Sequence, residues 1–179
     1  MKVNNYWIFG YGSIIWDNED ISPIKSIDAE LIGAHRSFNK KSTVNRGTKE
    51  FPGLALGLEY GGKCYGKAFL INKESFEVVR KREGGYNEIR TPNNDMKILD
   101  IKGSVIEDCI VFFPNTTGKN YLKPNTTLQE KAKIIIAGKN GTKSDAKDYL
   151  KQIKDFLNKY DIDDDEIETL YKLVFGNIM

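Results

Sequence analysis

A chain of 179 residues, 40% hydrophobic and 29% charged, has the make-up of a globular protein with room for a real core and carries no low-complexity tract. Its 27 basic and 25 acidic residues leave a net charge of +2, which argues against a long polyanion such as nucleic acid as partner. No apolar run approaches the length of a membrane helix, and Met1-Lys2-Val3-Asn4-Asn5 has no apolar leader core, so a cytoplasmic protein without membrane contact is expected.

In chain order, Trp7-Ile8-Phe9 is an apolar, β-prone run that breaks on Gly10-Tyr11-Gly12-Ser13 before Ile14-Ile15-Trp16 turns apolar again. A buried strand ending in a glycine turn holds backbone N–H groups in a fixed place, where they bind carboxylates, phosphates or developing oxyanions. An ordinary bend is the equal alternative. Asp17 to Ile27 reads as loop, Glu30 to Ala34 as a short strand, and His35 to Pro52 as polar and irregular, with Asn45-Arg46-Gly47-Thr48 and Pro52-Gly53 as turns. The basic residues Arg36, Lys40, Lys41, Arg46 and Lys49 read as a solvated loop face. Leu54 to Glu59 and Cys64 to Ile71 flank Tyr60-Gly61-Gly62-Lys63, a hairpin signal. Cys64 and Cys109 stand alone in apolar contexts and read as reduced core thiols.

Lys73 to Glu83 has helical spacing, with Phe76, Val78 and Val79 inward and Gly84-Gly85 as its stop. Tyr86 to Thr91, Lys97 to Ile101 and Asp108 to Phe113 are strand candidates. After Pro114 the pattern is helical. Thr127-Leu128-Gln129-Glu130 is a capping box opening a helix through Ala137, and Ser144 caps a second, whose face is Leu150, Ile153, Leu157 and Tyr160. The acidic run from Asp161 to Glu166 starts a last helix with the stripe Ile167, Leu170, Tyr171, Val174. Strands first and helices later predict an α+β fold: a small mixed β-barrel over about 1–115 with surrounding helices, and a helical part over about 116–179, in one domain.

Several chemistries are excluded by motif. Gly10 to Ile15 lacks the third glycine of a dinucleotide fingerprint, and no Gly-Lys-Ser/Thr closes a phosphate loop. Ser13 lacks the Gly-x-Ser-x-Gly elbow, and His35 is the sole histidine, so neither a triad nor a zinc site can be assembled. The acidic run has Glu166 where a calcium loop needs glycine. No metal and no cofactor is expected, which leaves carboxylate chemistry. Glu83, at a helix end beside Gly84-Gly85 and before Tyr86, is the candidate; a solvated glutamate balanced by Arg80, Lys81 and Arg82 is the alternative.

Taken together, Trp7 to Trp16, Asn45-Arg46-Gly47-Thr48 with Pro52-Gly53, Tyr65-Gly66-Lys67-Ala68-Phe69, and Arg82-Glu83 with Gly85-Tyr86 resemble, in order, the ChaC group of γ-glutamylcyclotransferases. Asn120-Tyr121-Leu122-Lys123-Pro124 and the later helices follow the same pattern, so the resemblance spans nearly the whole chain. It implies an enzyme that cleaves γ-glutamyl compounds, typically glutathione, into 5-oxoproline and the remaining amine. Carried over, Ile8, Phe9, Gly10, Tyr11, Gly12 and Ser13 form the substrate-binding loop, Tyr86 contacts substrate, and Glu83 is the proton acceptor. Two positions depart from the pattern: Ile14 stands in place of Leu, and Glu83 directly precedes Gly84 where extra residues are frequent.

The chemistry asks little of the protein. The substrate's α-amine closes on its own γ-carbonyl, so no enzyme nucleophile is needed; the protein holds the folded conformer, shuttles a proton and stabilises an oxyanion. A free glutamate titrates near pH ~4.3, so a base at neutrality needs an apolar surround. Arg80, Lys81 and Arg82 are therefore expected to point to solvent or to the substrate's carboxylates. A cyclotransferase for other γ-glutamyl amino acids or amines, and a non-catalytic binding module on the same fold, are the competing readings.

Overall fold

The computed structural model describes residues 4–176, so the reading of Met1-Lys2-Val3 lies outside the described residues. The chain divides into two compact units, Met1–Arg36 with Leu58–Asn115, and Ser37–Gly57 with Thr116–Met179. The expected change of character near residue 115 falls at the end of the first unit, while residues 37–57 group with the helical segment.

The first unit is built on a mixed sheet. Its strands are β1 (Asn5–Gly10), β2 (Lys25–Ser42), β3 (Gly53–Asn72), β4 (Tyr86–Thr91), β5 (Lys97–Asp100) and β6 (Cys109–Pro114), ordered β4-β6-β1-β3-β2-β5. The unit boundary cuts β2 after Arg36 and β3 before Leu58. β1 lies between β3, antiparallel with Ile8 opposite Phe69, and β6, parallel with Ile8 opposite Ile110. A strand paired on both edges and buried on its faces must be apolar throughout, as Ile8-Phe9 and Cys109-Ile110-Val111-Phe112-Phe113 are. The α+β class holds. The strand order is open, with β4 and β5 at its edges, so the sheet is a half-barrel.

Helix α1 (Lys73–Arg82) follows β3 without a loop. Asn72 caps it, its side chain accepting from the Ser75 N–H, and Phe76 and Val79 are buried as their spacing requires. Val78 is only half-buried.

Three expectations about this unit and its continuation change. β2 does not end at Ala34 but runs to Ser42, and Ala34 and each residue from Arg36 to Asn39 are buried, so this part of the strand is covered on both faces. Arg36 is 2% exposed and Arg46 6%, so these two are not a solvated face. The hairpin at Tyr60 to Lys63 is absent: β3 runs through it as one strand, with Gly61 at φ +93° and Gly62 at φ +69°. Glycine's access to positive φ, which normally reverses a chain, is used here inside a strand that keeps β2 as its neighbour.

The second unit carries helices α2 (Leu128–Ala137), α3 (Ala146–Lys159) and α4 (Asp165–Phe175). Thr127 and Glu130 form the expected capping box of α2. The N-cap of α3 is Asp145, not Ser144, whose hydroxyl donates to the Asp145 carbonyl and accepts from Arg46. Asp164 caps α4 through the Ile167 N–H, as the acidic run predicts.

Lys131 of α2 is 6% exposed and donates to Glu166 at 2.8 Å and to Ser37 at 2.9 Å; Glu166 also accepts from the Phe38 N–H at 2.9 Å. Backbone packs on backbone around Gly47 and Gly53. A Cβ at Gly53 would stand 2.1 Å from the Arg46 carbonyl, and one at Gly138 would stand 2.4 Å from the Gly53 Cα. The Arg-Gly-Thr and Pro-Gly elements are thus explained by close packing within this unit.

Candidate active site

The glycine turn grows out of the buried end of β1. Ile8 is fully buried and Phe9 is 2% exposed, and both are paired with β3 on one edge and β6 on the other. Their side chains therefore belong to the core. Gly10 is the last residue in register, opposite Lys67. A Cβ there would meet Ile14 Cγ2 at 2.4 Å, and one at Gly66 would meet the Gly10 carbonyl at 2.2 Å, so Gly10 leaves room for Ile14 to fold back over the turn and Gly66 lets β3 lie against it.

Beyond Gly10 the main-chain carbonyls are committed one after another. The Tyr11 carbonyl accepts from Arg36 Nε at 3.2 Å, Gly12 from the Ile15 N–H at 3.0 Å, and Ser13 from the N–H groups of Trp16 at 3.1 Å and Asp17 at 2.8 Å. Ser13–Ile15 forms a single 3-10 turn. In a trans peptide the N–H points opposite to the preceding carbonyl, so fixing these carbonyls fixes the directions of the Gly12, Ser13 and Ile14 amides. The Tyr11 hydroxyl donates to the buried Phe112 carbonyl at 2.7 Å, which pins the residue at its far end.

The other half of the candidate site is the end of α1. Glu83 is its C-cap, with its N–H on the Val79 carbonyl at 2.8 Å, and its main-chain carbonyl accepts from the Tyr86 N–H at 2.9 Å, which closes the turn into β4. Glu83 and Tyr86 are half-buried. Arg82, directly before Glu83, joins the two halves: it donates to Ser13 Oγ at 3.2 Å and to the Asp17 carbonyl at 2.5 Å, and pairs with Asp17 and Asp20. Arg80 is engaged by Glu88 and Glu77 and lies 4.5 Å from the Phe76 ring centroid. Arg82 therefore departs from the expectation that this cation points to solvent or ligand, because the turn's acidic and carbonyl groups bind it first. Its anchoring role has no local sequence signal; only the spacing of Asp17 and Asp20 after Ser13 hints at it.

Of the residues picked from sequence, Gly10, Tyr11, Gly12 and Ser13 are brought to the end of α1 through Arg82, with Glu83 next in the chain. Ile8 and Phe9 lie beneath the turn. Cys64 and Cys109 are buried thiols outside any disulfide, and burial pushes the Cys109 thiol far up. The sequence reading missed Arg36. In a stretch as polar as Arg36 to Ser42 nothing local marks it as buried.

A family described as ChaC-like protein matches residues 6–176. The chain is 31% identical over 171 residues to the "Glutathione-specific gamma-glutamylcyclotransferase" of Escherichia coli (strain K12), covering 92% of this chain and 70% of that protein. It is also 31% identical over 157 residues to the protein of the same name from Schizosaccharomyces pombe, with 75% of each covered. "Gamma-glutamylcyclotransferase 2-3" of Arabidopsis thaliana is 30% identical over 177 residues, covering 92% of this chain and 85% of that one. Among solved structures, a γ-glutamyl cyclotransferase specific to glutathione from yeast superposes with a TM-score of 0.82 at 18% identity, covering 96% of each chain, which shows the fold. Among the described residues no helix is long and apolar enough to cross a membrane.

Proposed function

This chain belongs to the ChaC-like family of γ-glutamylcyclotransferases, and we propose that its reaction is the release of 5-oxoproline from glutathione, leaving Cys-Gly. One observation carries the site assignment: Arg82, the residue directly before Glu83, donates to Ser13 Oγ at 3.2 Å, although the two are 69 positions apart (82 − 13 = 69).

The γ-glutamyl group sits on the Gly10 to Ser13 turn, with Tyr86 beside it. Glu83 takes a proton from the α-ammonium, and the freed amine attacks the γ-carbonyl to form the lactam C–N bond. The amides of the turn stabilise the oxyanion. As the tetrahedral species collapses, the original amide C–N bond breaks and Glu83 returns the proton to the departing nitrogen; a second proton of the attacking nitrogen follows through Glu83 to the released amine, which leaves as its ammonium while the lactam keeps one N–H. Atoms and protons balance with no co-reactant. Ile8 and Phe9 serve by holding the turn from below. A small-molecule substrate fits the near-neutral charge of the chain, and two buried thiols outside any disulfide fit the reducing cytoplasm. Recovery of the protein from an oxidising compartment would count against that location.

The test is incubation of the purified protein with glutathione and, separately, with γ-glutamylalanine, following 5-oxoproline. Release from glutathione with stoichiometric Cys-Gly, at the higher kcat/KM of the two, is the expected result. Preference for γ-glutamylalanine would replace the substrate and keep the chemistry; no 5-oxoproline from either overturns the assignment.

A further inference from the structure

We propose that Arg36 is a positioning residue of this site: by holding the Tyr11 carbonyl it aims the Gly12 N–H at the oxygen of the γ-carbonyl under attack. The inference rests on the cyclotransferase reading above and adds to it a residue outside both halves of the site.

Arg36 is 2% exposed, and a guanidinium taken out of water is costly unless its donors are used. Two of them meet main-chain carbonyls from different parts of the fold: Nε reaches Tyr11 at 3.2 Å, and Nη2 reaches Tyr65 in β3. Tyr65 is the neighbour of Gly66, where β3 meets the Gly10 carbonyl. Arg36 therefore bridges the turn and β3 beside this close approach. Tyr11 is held at both ends, its carbonyl by Arg36 and its hydroxyl by Phe112.

A carbonyl buried on a cation has a specific effect on the next amide. The Tyr11–Gly12 peptide is planar and trans, so the Gly12 N–H is directed away from Arg36 with the carbonyl as its fixed counterpart. Polarisation through the peptide makes that N–H a stronger donor. An oxyanion hole works because its donors are oriented before charge develops, and removing one costs about 10²–10³ in kcat. Arg36 touches no reacting atom; it acts through the turn. Lysine is a poor substitute because a single ammonium lacks the rigid fork that meets both carbonyls at once.

Arg36→Lys in the full chain is the direct test. A fall in kcat of about 10- to 100-fold, below the loss of a whole donor, is expected with KM for glutathione within about threefold and the far-UV spectrum unchanged. A merely structural role would instead lower the folded fraction, leaving kcat per folded molecule as in the parent. Wild-type kcat in a folded Arg36→Lys protein overturns the proposal.

A second measurement keeps Arg36 intact and so does not depend on the variant folding. In the Glu83→Gln protein saturated with glutathione, the Gly12 amide proton should move downfield. If other resonances of the turn shift while Gly12 does not, the proposal falls. A parent protein that releases no 5-oxoproline fails the cyclotransferase reading itself, whereas an active parent with an indifferent Arg36→Lys fails only this inference.

Discussion

Each unit buries an arginine, and the two are used differently. In the first, Arg36 donates to the main-chain carbonyls of Tyr11 and Tyr65. In the second, Arg46 donates to Ser144 Oγ at 2.6 Å and lies 3.9 Å from the Tyr149 ring centroid, while the buried Lys131 pairs with Glu166. A cation on backbone carbonyls dictates the direction of peptide groups. A cation on side chains joins one element to another. The family motif containing Arg46 thus serves packing, and the arginine with no motif around it holds the turn of the candidate site.

The comparison breaks most sharply at Glu83. Glu83→Gln should lower kcat about 10³-fold or more, with unfolding by urea unchanged, since a half-buried cap residue keeps its backbone hydrogen bonds while losing the carboxylate that carries the proton. Turnover within tenfold of the parent would remove Glu83 from the mechanism and leave the first unit with no more chemistry than the second.

The converse holds for Lys131. Lys131→Met leaves Glu166 without its cation and should cost about 3 kcal/mol in urea unfolding, while kcat per folded molecule stays at the parent value. Adding Glu166→Met should recover much of that loss, because a well-packed apolar pair replaces a desolvated ionic one. A change in kcat would erase the division of labour drawn here.

The smallest effect is at the start of α2. Thr127→Ala should cost about 1 kcal/mol. The Thr127 N–H and hydroxyl hold the Glu130 carboxyl below its ordinary 4.5. Its folded pKa is depressed, so the stability it adds is present above the unfolded value and is lost as pH falls through the folded one. Unfolding of the parent should weaken with acid below about pH 4.5, where the Thr127→Ala protein loses part of that dependence.

Much of this was legible because it is local. The capping box at Thr127, the helix from Lys73 to its glycine stop, and the apolar runs of β1 and β6 are each written within a few residues. What was not legible depended on neighbours distant in sequence. The stretch after Ala34 is polar, and polarity alone reads as loop; β2 continues there because its inward positions, Arg36 included, find interior partners. Gly61-Gly62 carries hairpin chemistry, yet the adjacent strand keeps β3 straight on. At the site, the glycines and Glu83 could be picked out by chemical type. Their joining through Arg82, and the hold of Arg36 on Tyr11, are tertiary facts.

The two buried cysteines acquire a meaning of their own once the proposed substrate is a thiol. Glutathione and its oxidised forms trade disulfides with any accessible thiolate, and an enzyme that spends its life among them risks becoming a mixed disulfide. Cys109 is fully buried and burial holds it as the protonated thiol, and Cys64 is 3% exposed with its thiol directed to the Tyr65 carbonyl. A catalyst that lets the substrate's own amine do the attacking has no need of a reactive sulfur, and this fold keeps both of its sulfurs out of the exchange.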